Sequence, residues 1–313
     1  MEISTFKTNR VREVMGYAAL ITSPPDLIQP NPLAYGYFTP PPPAGFPKTH
    51  LSHPTQLLDG FSNETINACL FDSVPKIIAR LFNFPKSHGP ADTDLPRAVL
   101  TLAINSIITQ INPLFPLARQ LFTNRFPFSD QTCTIIALPS ETVQTILLER
   151  RIWSSSFITF EAFPFTITSF PTPILALSGF ATEDPKTPLS LIQLVWNLPR
   201  NAKRIANAIS LEGDAPGDER FFIKTLVASS KMEAFANVPQ PGFNFVIHAS
   251  PPYKEAAQWA RLKLVLFSLD YDNHNRMGRI RPIYIPSCSL CYSASHPRLS
   301  CPFPKVPFWN GPK

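Results

Sequence analysis

The run TCTIIALPSETVQTILLERRIW, residues 132–153, joins a strand pattern to a helix pattern with almost no linker. Thr132–Leu138 is short, β-branched and apolar, which predicts a strand. Pro139 and Ser140 then offer a helix start, with Glu141 and Thr142 in the first turn. Val143, Ile146, Leu147 and Ile152 supply the apolar face of a helix over 139–153, and Ile146 and Leu147 are expected in the core. Downstream, Ser156–Phe163 alternates as a strand and Pro173–Phe180 reads as another. Pro185–Leu198 predicts a second helix, extended by Asn201–Ile209, and Arg220–Ser229 a fourth strand. The resulting order, β-α-β-β-α-β, is the split βαβ arrangement of ferredoxin-like folds, which RNA-recognition domains share. A strand at Phe243–Ala249 and a helix at Tyr253–Leu269 follow.

On this reading the fold class is α+β, with four parts. Residues 1–54 form a proline-rich, poorly ordered arm around Pro40-Pro41-Pro42-Pro43. Residues 55–128 form a helical region, with helices at Asn63–Leu70, Pro75–Phe82, Arg97–Ile111 and Pro116–Phe126. Residues 129–272 are the α+β, RNA-recognition-like domain, and 273–313 a basic linker and a cysteine-rich end. Ala98–Ala118 is uncharged, but Asn105, Gln110, Asn112, Pro113 and Pro116 make it a buried helix, not a membrane span. The N-terminus lacks a secretory apolar core, so a cytoplasmic or nuclear protein is expected.

The cysteine-rich end reads Cys288-Ser-Leu-Cys291-Tyr-Ser-Ala-Ser-His296-Pro-Arg-Leu-Ser-Cys301, or C-x2-C-x4-H-x4-C. Two residues between the first pair let one tight turn aim both sulfurs at a point. The longer gaps bring His296 and Cys301 back to close a tetrahedron. Three thiolates and an imidazole suit Zn2+. A segment this short buries little, so the metal would supply its folding free energy, on the order of 10 kcal/mol. Cys69 and Cys133 lie in apolar surroundings and read as buried thiols.

The chain carries a net charge of +6 in 313 residues. No Asp or Glu occurs from Asn273 to Lys313, where Arg276, Arg279, Arg281, Arg298, Lys305 and Lys313 fall. A basic stripe draws phosphate, and aromatic rings stack unpaired bases. Arg276, Arg279, Arg281, Tyr292, Arg298 and Trp309 are therefore candidate contacts to single-stranded RNA or DNA. Phe157, Phe160 and Phe163 are further stacking candidates, although core packing is the commoner role for such residues. The aromatic signature of RNA-recognition strands is absent from Pro173–Phe180 and from Cys133–Leu138. No phosphate loop and no nucleophile elbow occur, His248 and His274 have no evident partners, and four protein ligands make a closed zinc site, so no enzyme is expected.

The run His296-Pro-x-x-x-Cys301-Pro-Phe-Pro304 and the later Trp309-Asn-Gly-Pro312 resemble the zinc knuckle end of Gag-like, first-ORF proteins of fungal LINE-type retrotransposons. Leu147–Trp153, Phe160-x-x-Phe163-Pro164 and Leu177-Ser-Gly-Phe180 are similar to the degenerate RNA-recognition-like domain of that class. The resemblance spans 130–313 and is strongest over the last thirty residues. It implies RNA binding and ribonucleoprotein assembly, with self-association. Departures are Ser289, Tyr292 and Ser295, where retroviral-type knuckles carry an aromatic residue and two glycines. The chain ends twelve residues after Cys301, as a truncated copy would. The alternative expectation is a zinc-stabilised module that binds an acidic protein partner.

Overall fold

The computed structural model describes residues 38–53, 55–83, 94–125, 132–166, 171–209, 219–236, 242–250, 256–272 and 280–313. Most of the expected N-terminal arm, together with Arg276, Arg279 and His274, lies outside these residues. The chain is α+β and forms two units, each built on an antiparallel sheet. Residues through Pro47, Leu57–Thr166 and Pro302–Lys313 make the first unit. Lys48–Gln56 and Ile167–Cys301 make the second. The part of the expected disordered arm that is described, residues 38–53, is thus built into folded units. In the first, Thr39 donates its backbone N–H to Ser154 at 2.7 Å, and the Arg150 guanidinium donates to the Thr39 carbonyl at 2.7 Å.

In the first unit α1 (Asn63–Phe71) precedes β1 (Lys76–Leu81) and α2 (Asp94–Ile111). Then come β2 (Arg119–Arg125), β3 (Thr132–Ala137), α3 (Glu141–Arg150), β4 (Ile152–Ser154) and β5 (Thr159–Pro164). The sheet order is β2-β3-β1-β5-β4, with every pair antiparallel. α2 buries Leu100, Ala103, Ile104, Ile107 and Ile108, the i, i+3, i+4, i+7 stripe of an amphipathic helix. α3 adds Val143 and Leu147, and both helices pack on Ile77, Ala79, Leu81, Ile136, Phe160 and Ala162. The Ser140 hydroxyl caps α3 by accepting from the Val143 N–H at 3.3 Å, which is worth about 1 kcal/mol. Truncating Leu147, fully buried, to Ala is expected to destabilise this unit by about 2–5 kcal/mol. Ile146→Ala should cost less, because its side chain is only partly buried at the edge of that cluster. Denaturant melts of the two variants check this ranking.

Several elements differ from expectation. Pro75–Phe82 is not a helix but holds the central strand β1. All six residues of β1 are buried: Ile77, Ala79 and Leu81 face the core, while Ile78 sits between Lys76 and Arg80 on the other face, which breaks the polar–apolar alternation that marks a half-exposed strand. Pro116–Phe126 holds β2, not a short helix. The helix from 139 stops at Arg150, because Arg151 adopts a left-handed φ of 62° and the chain turns into β4.

The second unit contains β6 (Thr172–Phe180), α4 (Lys186–Trp196), α5 (Pro199–Ile209) and α6 (Glu219–Ser229). β7 (Lys231–Ala236), β8 (Phe243–Ala249), α7 (Ala256–Phe267) and β9 (Arg281–Pro282) complete it. The order is β7-β8-β6-β9, again antiparallel throughout. Helix residues Ile192, Val195, Trp196, Ile205, Ile223, Leu226, Leu262 and Leu266 pack on Leu175, Leu177, Phe245 and Ile247. The strand expected at Arg220–Ser229 is the helix α6. Its buried residues Ile223, Leu226 and Val227 follow helical spacing, which the β-prone run Phe221-Phe222-Ile223 conceals. The split βαβ expected across 132–229 therefore does not close into one sheet: β3 and β5 belong to the first unit and β6 to the second.

Candidate metal centre

The cysteine-rich segment is anchored by the short strand β9. Arg281 and Pro282 pair with Ser178 and Leu177, and the Ile283 N–H donates to the Ala176 carbonyl at 2.9 Å. Five residues later the chain folds into a tight loop. The Cys288 N–H donates to the Ser293 carbonyl and the Tyr292 N–H to the Cys288 carbonyl, both at 2.8 Å. The Leu290 N–H points at the Cys288 sulfur at 3.4 Å. A single 3-10 turn, Arg298–Ser300, then brings Cys301 back, its N–H bonded to the Arg298 carbonyl at 3.0 Å.

Cys288, Cys291, His296 and Cys301 are all buried, and one ligand atom from each lies within 4.8 Å of the others. Cys291 Sγ is 3.8 Å from Cys301 Sγ and 3.5 Å from His296 Nε2. Bonds of about 2.3 Å to sulfur and 2.0–2.1 Å to nitrogen at tetrahedral angles put sulfurs about 3.8 Å apart, and sulfur and nitrogen about 3.6 Å apart. The four residues therefore fit a tetrahedral divalent ion and can hold one. His296 turns Nε2 inward, and its Nδ1 lies 3.1 Å from the Ser295 hydroxyl. That outer contact fixes the ring's orientation, as partners of metal-bound histidines commonly do. Ser295 in turn meets Ser293, with 3.0 Å between hydroxyl oxygens.

Three sulfurs this close do not ionise independently. Hydrogen bonds from Cys291 and Cys301 pull the Cys288 thiol well below its usual range. The same contacts, with Cys288 and Cys301 beside it, push Cys291 far up. One thiolate is thus favoured at the expense of the next, and a divalent cation removes the conflict by stabilising all three. Tyr292 has a left-handed φ of 56°, a conformation that favours glycine. Ser295 has no such φ, so the second glycine is not required here.

The other sequence candidates are placed differently. Arg281 and Arg298 are exposed and flank the loop. Tyr292 is only 8% exposed. Trp309 is also 8% exposed, in the first unit. Its ring meets Phe46, Phe82 and Phe303, and its Nε1–H donates to the Pro312 carbonyl at 2.9 Å. The Trp-Asn-Gly-Pro run is therefore a packing motif. The Asn310 N–H donates to the Thr39 hydroxyl at 2.9 Å, and a Cβ on Gly311 would sit 2.5 Å from both the Ser154 and Thr159 hydroxyls. Phe160 and Phe163 are buried as well, while Phe157 is exposed.

Sequence inspection missed a second group, His50, Glu233 and His248, whose ligand atoms also lie within 4.8 Å of one another. The sequence around His248 carries no carboxylate or cysteine pattern, but its Nε2 lies 3.2 Å from Glu233 Oε2. The three residues are far apart in the chain and follow no local spacing. The only available signal was a histidine on a strand that is apolar apart from Asn244. Among the described residues, no helix is long and apolar enough to cross a membrane. Compared with protein-family models, curated proteins and solved structures, the chain matches none.

Proposed function

We propose that the protein binds single-stranded nucleic acid, RNA above all, through a zinc-stabilised Cys3His knuckle and the basic tail around it, in the manner of a Gag-like ribonucleoprotein component. The observation that carries this reading is the buried Cys288, Cys291, His296 and Cys301 cluster at knuckle spacing, set in a 41-residue tail, Asn273–Lys313, without one acidic residue. The sulfur and imidazole donors favour zinc over hard cations such as Mg2+. All four positions are filled by protein, so the ion's role is structural: it holds the loop and thereby presents Arg281 and Arg298.

The sheet topologies add support. In each unit four strands run β-α-β-β-α-β with spatial order 2-3-1-4, counting β5 as the first unit's fourth strand. That order matches the ferredoxin-like arrangement that RNA-recognition domains use, which supports the reading. The base-stacking face of such domains is not free here. Ile78, Arg80 and Phe163 of the first sheet are buried, as are Asn244, Val246 and His248 of the second. Contacts are therefore assigned to the tail and not to the sheets. Tyr284, 82% exposed, replaces Tyr292 as the stacking residue beside Arg281.

Retention on single-stranded RNA should weaken as salt rises. Replacing Arg276, Arg279 and Arg281 together by Ala should lower the slope of log affinity against log salt by about 2, at about 0.7 per phosphate contact. Tyr284→Ala should weaken binding by about 1–3 kcal/mol and leave the slope unchanged, since it removes a ring and no charge. Filter retention across a salt series measures both. Burial of Tyr292 and Trp309 favours the second reading, a zinc-stabilised module for an acidic protein partner. That reading takes over if the protein shows no retention on single-stranded RNA or DNA at low salt.

A further inference from the structure

Three side chains from distant parts of the second unit converge beside the cysteine-rich loop. His50 belongs to the segment Lys48–Gln56, Glu233 to the edge strand β7, and His248 to β8. Strand alternation places Glu233 and His248 on the sheet face opposite the helices, because Phe245 and Ile247 of β8 face the helical core. Glu233 Oε2 lies 3.5 Å from His50 Nε2 and 3.2 Å from His248 Nε2. The two imidazole centroids are 4.0 Å apart with the rings tilted by 42°. His50 is held by its backbone: its N–H donates to the Ser293 hydroxyl at 3.0 Å, and its carbonyl accepts from the Ala294 N–H at 2.8 Å.

We propose that His50, Glu233 and His248 form a second metal site, distinct from the cysteine cluster, which takes a divalent ion of borderline hardness such as Zn2+, Co2+ or Fe2+ and leaves a coordination position for water. Nitrogen and oxygen ligands at about 2.0–2.1 Å from a tetrahedral ion stand about 3.3–3.4 Å apart. The observed 3.2 and 3.5 Å bracket that spacing. Two histidines and one carboxylate are a recurrent donor set for such ions. His248 is 2% exposed; its Nε2 faces Glu233 Oε2 at 3.2 Å without a hydrogen bond of good geometry, and its Nδ1 has none either. A metal ion held between Nε2 and the carboxylate satisfies both groups.

The site is not sealed. The Glu233 side chain is 54% exposed, so solvent reaches the metal from the strand edge. Three protein ligands with one open side distinguish this site from the closed Cys3His cluster. Because Ser293 and Ala294 lie between Cys291 and His296, folding of that loop sets the position of His50. The second ion should therefore bind after the first.

The test is a Co2+ titration of full-length, reduced, metal-stripped protein, read by absorption and by equilibrium dialysis. The expected result is two equivalents per chain. The first brings intense thiolate-to-cobalt absorption, and the second only weak ligand-field bands. Glu233→Gln should weaken the second equivalent by at least about tenfold, the range seen on losing even an outer-shell partner. The thiolate absorption should persist, which also shows that the variant is folded. His50→Gln provides an independent variant, read in the same way. A wild type that binds a single equivalent overturns the proposal, as does a second equivalent whose affinity is unchanged in both variants.

Discussion

Cys291→Ser is expected to abolish tight metal binding at the cluster and to unfold the loop from Cys288 to Cys301. Cys291 is fully buried, and its sulfur sits 3.8 Å from that of Cys301 and 3.5 Å from His296 Nε2. A hydroxyl is a far poorer ligand for a borderline-soft ion than a thiolate. The loss should exceed the roughly 10–100-fold that removal of an outer-shell partner produces. Structural zinc supplies on the order of 10 kcal/mol of folding free energy, and this loop has few other sources. The Leu290 and Tyr292 amides should therefore lose their protection from hydrogen exchange. The thiolate-to-cobalt absorption should vanish in the variant. Acid has the same sense of effect. Protons compete with the metal for the three sulfurs, which do not ionise independently. Metal binding must therefore release protons, and affinity must fall as pH falls. Competition titrations on either side of neutrality measure this. A reduced wild type that takes up no metal would remove the basis of the assignment.

Glu161→Gln should destabilise the first unit by about 3–5 kcal/mol, because it removes one charge of a fully buried ion pair. Arg80 and Glu161 face each other across β1 and β5 with no exposure, and one guanidinium nitrogen is 2.7 Å from Glu161 Oε2. Arg151 approaches the other carboxylate oxygen at 3.6 Å, and the Arg80 guanidinium lies over the Phe163 ring at 5.0 Å from its centroid. Removing both charges is a different matter. Arg80→Met combined with Glu161→Leu should recover most of the lost stability, since apolar residues of similar volume need no desolvated partner. Urea midpoints for the single and double variants decide it. If the double variant is no more stable than the single one, Arg80 is not dependent on this carboxylate.

The cysteine cluster was legible because its four ligands lie within fourteen residues at a spacing set by one metal's geometry. α2 was legible because Leu100, Ala103, Ile104, Ile107 and Ile108 mark one helical face in a run with no competing pattern. β1 was not, because Ile78 stands between Lys76 and Arg80 on one face and both charged residues are buried, so the polar–apolar period that separates strand from helix is broken. At α6, the strand-favouring Phe221 and Phe222 outweighed the helical spacing of Ile223, Leu226 and Val227. Trp309 looked like a stacking residue by its type alone, and only tertiary packing shows that Phe46, Phe82 and Phe303 occupy its faces. His50, Glu233 and His248 were beyond any sequence pattern. Their proximity depends on the register of β7 against β8 and on where a connecting segment lies.

Neither unit is encoded by one continuous stretch. The first needs residues through Pro47, then Leu57–Thr166, then Pro302–Lys313, while the second needs Lys48–Gln56 and Ile167–Cys301. The chain thus passes from one unit to the other four times. A single recombination crossover cannot transfer one unit intact to another gene. It would separate the cysteine cluster from His50, or the Trp-Asn-Gly-Pro end from the strand edge against which Gly311 is fitted. The two halves must be inherited together, and selection acts on them as one evolutionary unit.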